Sequence, residues 1–220
     1  YKGVDGDAWL YGHVSNAWSH WMPDQATKTI KYGGFYAARA MPNLVVVSLN
    51  MNMFQSGDFA WKFNFTDVNH QFPFLVDALS QVRALGLKAI VIGHQHKLAE
   101  PFETYFHQII TQYKDVVVGQ HYGHAHAAFI CAFHEYTGNN TLPGKPMHSV
   151  YIGNSVTTYS NLNPGYAIFQ YNRSIPSKNI ASEMYEYWLD LDVANKENST
   201  AGWDRPAFVA SEEYSIPDVS

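Results

Sequence analysis

The 220-residue chain is 46% hydrophobic and 15% aromatic with only 15% charged residues, enough apolar side chain for one large core and near the upper end for a single domain. A net charge of -5 and a pI near 6.1, with fourteen Lys and Arg scattered rather than clustered, give no basic footprint for a phosphate backbone and exclude a nucleic-acid scaffold as partner. No apolar run reaches the ~20 residues of a membrane-spanning helix, and the start YKGVDGDAWL lacks the charged and apolar regions of a signal peptide.

In chain order, DAWLYGHVSNAWSHW at 7–21 spaces Leu10, Val14, Ala17, Trp18 and Trp21 as the stripe of an amphipathic helix, whose apolar face is expected to dock on a sheet. LVVVSLN at 44–50 reads as a buried strand that Asn50 closes at a loop. A helix is expected over about 69–85, with Phe72, Leu75, Leu79 and Val82 on one face and Gly86 as its stop. KAIVIGHQH then gives a strand over 89–92 ending in Gly93 and His94. A third helix over about 101–113 carries Phe102, Phe106, Ile109 and Ile110, and DVVVGQHYGHAH is another buried strand ending in glycine and histidine. Strand and helix alternate, as in an α/β layered fold.

After residue 126 strands follow without helices: FICAFHEY, HSVYIGNS, YAIFQYN and EMYEYWLDLDV, separated by TGNNTLPGKP, NLNPG and NRSIPSKN. In the last strand Tyr185, Tyr187, Leu189 and Leu191 alternate with polar residues, so one face should be wet. Cys131, alone in AAFICAF, is expected to be a buried small hydrophobe. Sequons at Asn64, Asn139, Asn172 and Asn198 point to a secretory route. The chain also begins without Met, so processing upstream is expected.

The histidines carry the chemistry. In an open α/β sheet ligands collect outside the carboxyl ends of the strands, which places His94 and the pair His124/His126 on one rim. Each follows closely on a glycine that permits a tight strand-to-loop turn, and neutral imidazole is the commonest ligand for zinc and serves other borderline metals. One such histidine alone would be read as a surface or core residue; two Gly-His strand ends favour metal. His96 and His121 are open to two readings, as a further ligand or supporting donor and as a polar loop residue. No nucleophile elbow, P-loop or GxGxxG occurs.

IGHQH, GQHYGHAH and SVTTYSNLNPGYAIFQY, preceded by KYGGFYAARAMPNLVVVSLNMNMF, resemble the second half of the calcineurin-like metallophosphoesterases, and among them the acid sphingomyelinase family. Gly-His alone is a weak signal; GHxH with the downstream TTYxxLNPGY string is specific. The similarity runs from about residue 8 through the Asn64 sequon and EMYEYWLDL to EEYSIPD. It implies the second half of a four-layer α/β/β/α domain with mixed sheets over residues 1–195, and a tail or the start of a C-terminal subdomain over 196–220. It further implies two divalent metal ions, usually zinc, with His94 and His124 on one and His126 on the other, and Tyr159 lining the substrate groove. The implied activity is hydrolysis of a phosphodiester, sphingomyelin to ceramide and phosphocholine, by a glycoprotein of a secreted or lysosomal compartment.

Departures from the pattern limit that reading. The family's Asp-x-His pair, bridging Asp and Gly-Asn-His segment have no match here, so no catalytic residue is assigned within the chain. Either a companion N-terminal chain or fragment completes the metal site, or this is a fragment or inactive relative. GHAHAAF carries Ala127 and Ala128 where an acidic residue often follows, and the cysteine-rich C-terminal subdomain has no counterpart. Three alternatives stay open: a phosphodiesterase of the same fold acting on nucleotides or other soluble phosphate esters, a non-catalytic interaction protein that keeps the fold, and a mononuclear zinc site made by the three histidines alone.

Overall fold

The structure is a computed structural model describing residues 8–55, 67, 69–138, 144–171, 181–199 and 208–209. The sequons at Asn64, Asn139 and Asn172 and the EEYSIPD segment lie outside the described residues. The main sheet is built from β1 (Tyr36–Met41), β2 (Leu44–Ser48), β3 (Lys88–Ile92), β4 (Val117–Tyr122), β5 (Phe129–His134) and β6 (Pro146–Ile152), in the spatial order β1-β2-β3-β4-β6-β5. β2, β3, β4 and β6 are parallel neighbours, and β1 and β5 are antiparallel edges. A second, antiparallel sheet holds β7 (Gly165–Tyr171), β8 (Ala181–Trp188) and β9 (Phe208–Val209). The chain is thus a mixed α/β protein with a mixed multi-stranded sheet.

The parallel strands form because VVV and AIVI are β-branched runs that can be buried on both faces only if helices complete the crossovers. Those helices are α3 (Gln71–Ala84) and α4 (Phe102–Gln112). Leu75 and Leu79 of α3 and Ile110 of α4 are wholly buried with Val47 and Val91 of the strands, and the rings of Phe54, Phe72 and Phe102 stack beside them. Burying each such aliphatic chain contributes about 1.5–3 kcal/mol. On the opposite face Tyr151 of β6 packs with Met184 and Phe169 of the second sheet. Helices, sheet and sheet account for three successive layers.

Several expectations are corrected. The first helix, α1 (Ala8–Trp18), does not dock on a sheet: it lies on α2 (Asp24–Gly33), with the small Ser15 buried and its hydroxyl donating to Thr27 O at 2.9 Å, while Leu10, Trp18 and Trp21 stay exposed. α2 itself was not legible as a helix; Gly34, at φ 75°, caps it with its N–H on Ile30 O. The strand expected to run through Leu191 stops at Trp188, because Asp190 accepts the Val193 N–H and starts α5 (Leu191–Glu197). Cys131 is exposed, not buried, because β5 is an edge strand on which α4 reaches only as far as Phe133.

His121 is neither a loop residue nor a partner of His94. It sits inside β4 between the two sheets, stacked on Tyr151 and edge-on to Phe169, and Tyr171 donates its hydroxyl to Nε2 at 2.5 Å. His148 on β6 accepts from the Gln120 amide at 2.8 Å, and Gln120 in turn accepts the Tyr122 hydroxyl at 2.5 Å. Burial pulls both histidines down to a pKa of about 4. The unfolded chain takes up these protons near pH 6.5 and the native one only near 4, so the unfolded state binds more protons in that window and stability rises with pH. Urea unfolding should therefore lose about 2 kcal/mol per histidine between pH 7 and pH 4.5. A His148→Gln variant should flatten part of that slope; an unchanged slope would count against a neutral buried His148.

Candidate functional site

The main-chain ladder continues past the ends of the parallel strands. Leu49 N–H donates to Ile92 O (3.0 Å), Gly93 N–H to His121 O (3.1 Å), Gly123 N–H to His94 O (3.0 Å) and Gly153 N–H to Tyr122 O (2.8 Å). Asn50, His94, His124 and Asn154 therefore share one rim, in register, at the carboxyl ends of β2, β3, β4 and β6. Gln71, buried, holds the Asn50 main chain from both sides: its Oε1 accepts the Asn50 N–H at 2.7 Å and its Nε2 donates to Asn50 O at 3.2 Å.

On this rim the structure brings His94 and His124 together. His94 Nε2 and His124 Nδ1 are 3.3 Å apart with their rings nearly perpendicular. Desolvation first, and then the charges of His124 and His126, lower the pKa of His94, so its imidazole is neutral around pH 7 with a lone pair to give. His124 and His126 both have left-handed backbones, φ 68° and 59°, with Ala125 between them donating to Gly123 O. Side-chain-bearing residues adopt that region at a cost of order 1–3 kcal/mol each, and such strain gathers at functional sites.

That double turn parts the two histidines. The His124 ring faces His94, whereas the His126 ring lies 6.0 Å, edge to face, from Tyr159. Tyr159 belongs to an exposed single turn, Tyr159–Asn161, in the loop joining β6 to β7, and is 73% exposed. The loop is anchored at Gly165, whose N–H donates to Ser155 O at 2.8 Å and where a Cβ would stand 2.7 Å from Tyr187 O. His96 sits beside the pair, its ring 6.2 Å from that of His124 and edge-on to Phe129.

Sequence reasoning missed Gln95. It is 5% exposed and its Nε2 lies 2.6 Å from Gln55 Oε1 and 3.3 Å from His124 Nδ1. A polar residue flanked by two histidines was the available signal, but only folding turns 95 inward while 94 and 96 face out.

The donor set suits a borderline metal. With Zn–N bonds of about 2.0–2.1 Å, two nitrogens at the tetrahedral angle stand roughly 3.3 Å apart, which is the His94–His124 spacing. Among the described residues no group of three His, Cys, Asp or Glu converges to hold an ion. The three-histidine mononuclear site therefore has no support among the described residues.

No protein-family model matches the chain. It is 32% identical over 221 residues to the sphingomyelin phosphodiesterase of Bos taurus, covering 99% of this chain and 34% of that protein. The human sphingomyelin phosphodiesterase is 31% identical with the same coverage. The human cyclic GMP-AMP phosphodiesterase SMPDL3A is 28% identical over 229 residues, 96% of this chain and 48% of that one. The chain spans about a third of the length of the sphingomyelin phosphodiesterases it matches. Among solved structures, a dimetal phosphatase from Danio rerio overlays with a TM-score of 0.44 at 11% identity, over 70% of this chain and 57% of that one.

The two rim glycines differ. A Cβ on Gly93 would meet Met51 Sδ at 2.7 Å, inside the core, whereas one on Gly123 would make only ordinary contacts, with His94 Nδ1 at 3.7 Å and His94 O at 4.0 Å. Gly93→Ala should cost about 1–3 kcal/mol in chemical denaturation, and Gly123→Ala well under half as much. Equal losses would show that Gly93 is not held against Met51.

Proposed function

Because the chain is a homologue of the sphingomyelin phosphodiesterases over 99% of its own length, we propose that it is the second half of a metal-dependent phosphodiester hydrolase that converts sphingomyelin to ceramide and phosphocholine. The observation that carries the reading is the pair of imidazole nitrogens 3.3 Å apart on the carboxyl-end rim. His94 and His124 would hold one divalent ion, zinc by donor type, and His126 the second. Bound there, the ions supply charge to neutralise phosphate oxygens and to lower the pKa of a water.

This chain's own residues do the placing. The ladder between strand ends fixes His94 against His124, and the left-handed turn at 124–126 sends His126 toward Tyr159, so the phosphorus would sit between the imidazole pair and the Tyr159 loop. Tyr159 would line the groove beside His126, where an exposed aromatic face can take a choline head group by cation–π contact. The bridging carboxylate and the acid for the leaving group would come from a companion N-terminal segment, as the absence of a third ligand among the described residues supports. A secreted or lysosomal glycoprotein is the compartment proposed; of the four sequons Asn198 is described, at the C-cap of α5.

A second reading has its own support. The likeness to cyclic GMP-AMP phosphodiesterase SMPDL3A extends over 96% of the chain, which favours nucleotide or other soluble phosphodiesters as substrates. A non-catalytic protein that keeps the fold would bind no metal.

The protein isolated with whatever copurifies should contain about two zinc ions per complex by elemental analysis and should cleave sphingomyelin. His94→Ala or His124→Ala should lower kcat/KM by at least roughly 100-fold, and Tyr159→Ala should raise KM for choline lipids more than for nucleotides. Metal-free protein without activity would sink the enzyme reading, and turnover of nucleotides alone would select the second substrate class.

A further inference from the structure

The contact between Gln95 and His124 has a consequence for how the rim accepts a cation. Gln95 Nε2 carries two hydrogens and has two acceptors, Gln55 Oε1 at 2.6 Å and His124 Nδ1 at 3.3 Å. An amide N–H pointed at a ring nitrogen requires that nitrogen to be unprotonated, which selects the His124 tautomer with its proton on Nε2. His94 Nε2 faces the same Nδ1 at 3.3 Å. One lone pair on His124 is therefore addressed from two directions, by the space shared with His94 and by a buried amide. The amide is not free to drift, because it is 5% exposed and its nitrogen is already tied to Gln55.

We propose that the Gln55–Gln95 amide pair is a placeholder for the cation at His124: it keeps the Nδ1 lone pair hydrogen-bonded and the ring in its cation-ready tautomer when no ion is bound, and must release that nitrogen when an ion enters. The inference rests on His94 and His124 sharing an ion. A lone pair cannot both accept N–H and bind a cation, so Gln95 lowers the intrinsic affinity of the rim while pre-setting its geometry. A leucine at 95 fills the same space without the donor, and a carboxylate removes the donor and adds charge. Gln95→Leu should therefore bind a divalent ion more tightly than the parent by about three- to tenfold, the worth of one such hydrogen bond, and Gln95→Glu more tightly still. Gln55→Leu, which cuts the anchor alone, should shift affinity in the same sense and less.

The test uses Co(II) titrated into the metal-free protein, followed by competition with a chromophoric chelator, together with long-range 15N–1H spectra of the His124 ring. Metal-free parent protein should show Nδ1 unprotonated and hydrogen-bonded, with that resonance moving in Gln95→Leu, and the variant's Kd for Co(II) should fall. Unchanged or weaker Co(II) binding in both Gln95 variants, or a His124 Nδ1 that carries the proton, would overturn the proposal. Should neither parent nor variant bind Co(II), and His94→Ala change nothing, the shared-ion reading fails and the placeholder falls with it. The spectra then report separately whether the amide contact exists.

Discussion

The spacing of the rim follows from main-chain hydrogen bonding that outlasts the strands. Parallel β2, β3, β4 and β6 end at nearly the same height, and four further N–H···O bonds carry the ladder one step beyond them, through Leu49, Gly93, Gly123 and Gly153. The peptide groups bring the main chains of His94 and His124 side by side, and side-chain contacts such as that of the Gln95 amide with His124 orient the rings. The helices that make the parallel arrangement possible are thus part of the site at one remove. Phe102, Phe106 and Ile110 of α4 share one core with Ala89 and Val91 of β3 and Val117 and Tyr122 of β4, the strands that lead to the two histidines.

Two kinds of histidine result from that scaffold. His121 and His148 lie within the sheet, and in each the Nε2 lone pair is taken, by the Tyr171 hydroxyl and the Gln120 amide, while Nδ1 of His148 is buried without a hydrogen-bond partner among the described residues. His94 and His124 lie two residues past the strand ends, where His124 Nδ1 faces the His94 ring and the Gln95 amide. A difference of three residues along β4, from 121 to 124, separates a packing group from a candidate ligand. Burial depresses His94 and His121 alike in direction, so the distinction lies in partners and not in titration.

Much of this was legible. The apolar runs at 44–50 and 89–92 and in DVVVGQHYGHAH, and the helical stripes over about 69–85 and 101–113, announced the layered fold, because period and composition are strong where both strand faces or one whole helix face are buried. The Gly-His strand ends located the rim for the same reason. What was not legible depends on contacts between elements distant in sequence. α2 has few apolar residues and owes its place to Ala26 and Ile30 against its neighbours and to a glycine cap; β1 is an edge strand with a mixed pattern; and Cys131 looks buried in AAFICAF because periodicity does not say where a helix stops covering a strand. The separate directions of His124 and His126 are set by two left-handed residues, a backbone conformation that neither periodicity nor composition announces.

The same turn explains why nitrogen ligands alone do not close the rim. With His124 directed to His94 and His126 to the Tyr159 loop, the chain offers two separate nitrogen corners and no carboxylate between them among the described residues. On the proposed reading, two cations held only by neutral imidazoles would repel each other with nothing to screen them, and at a separation of about 4 Å that repulsion is of the order of 4 kcal/mol per pair of unit charges even at an effective dielectric of 20. On that reading a bridging anion would offset the repulsion, and no carboxylate is placed to do so among the described residues. What the chain itself supplies is position: a rim strained at two residues and hydrogen-bonded by an amide.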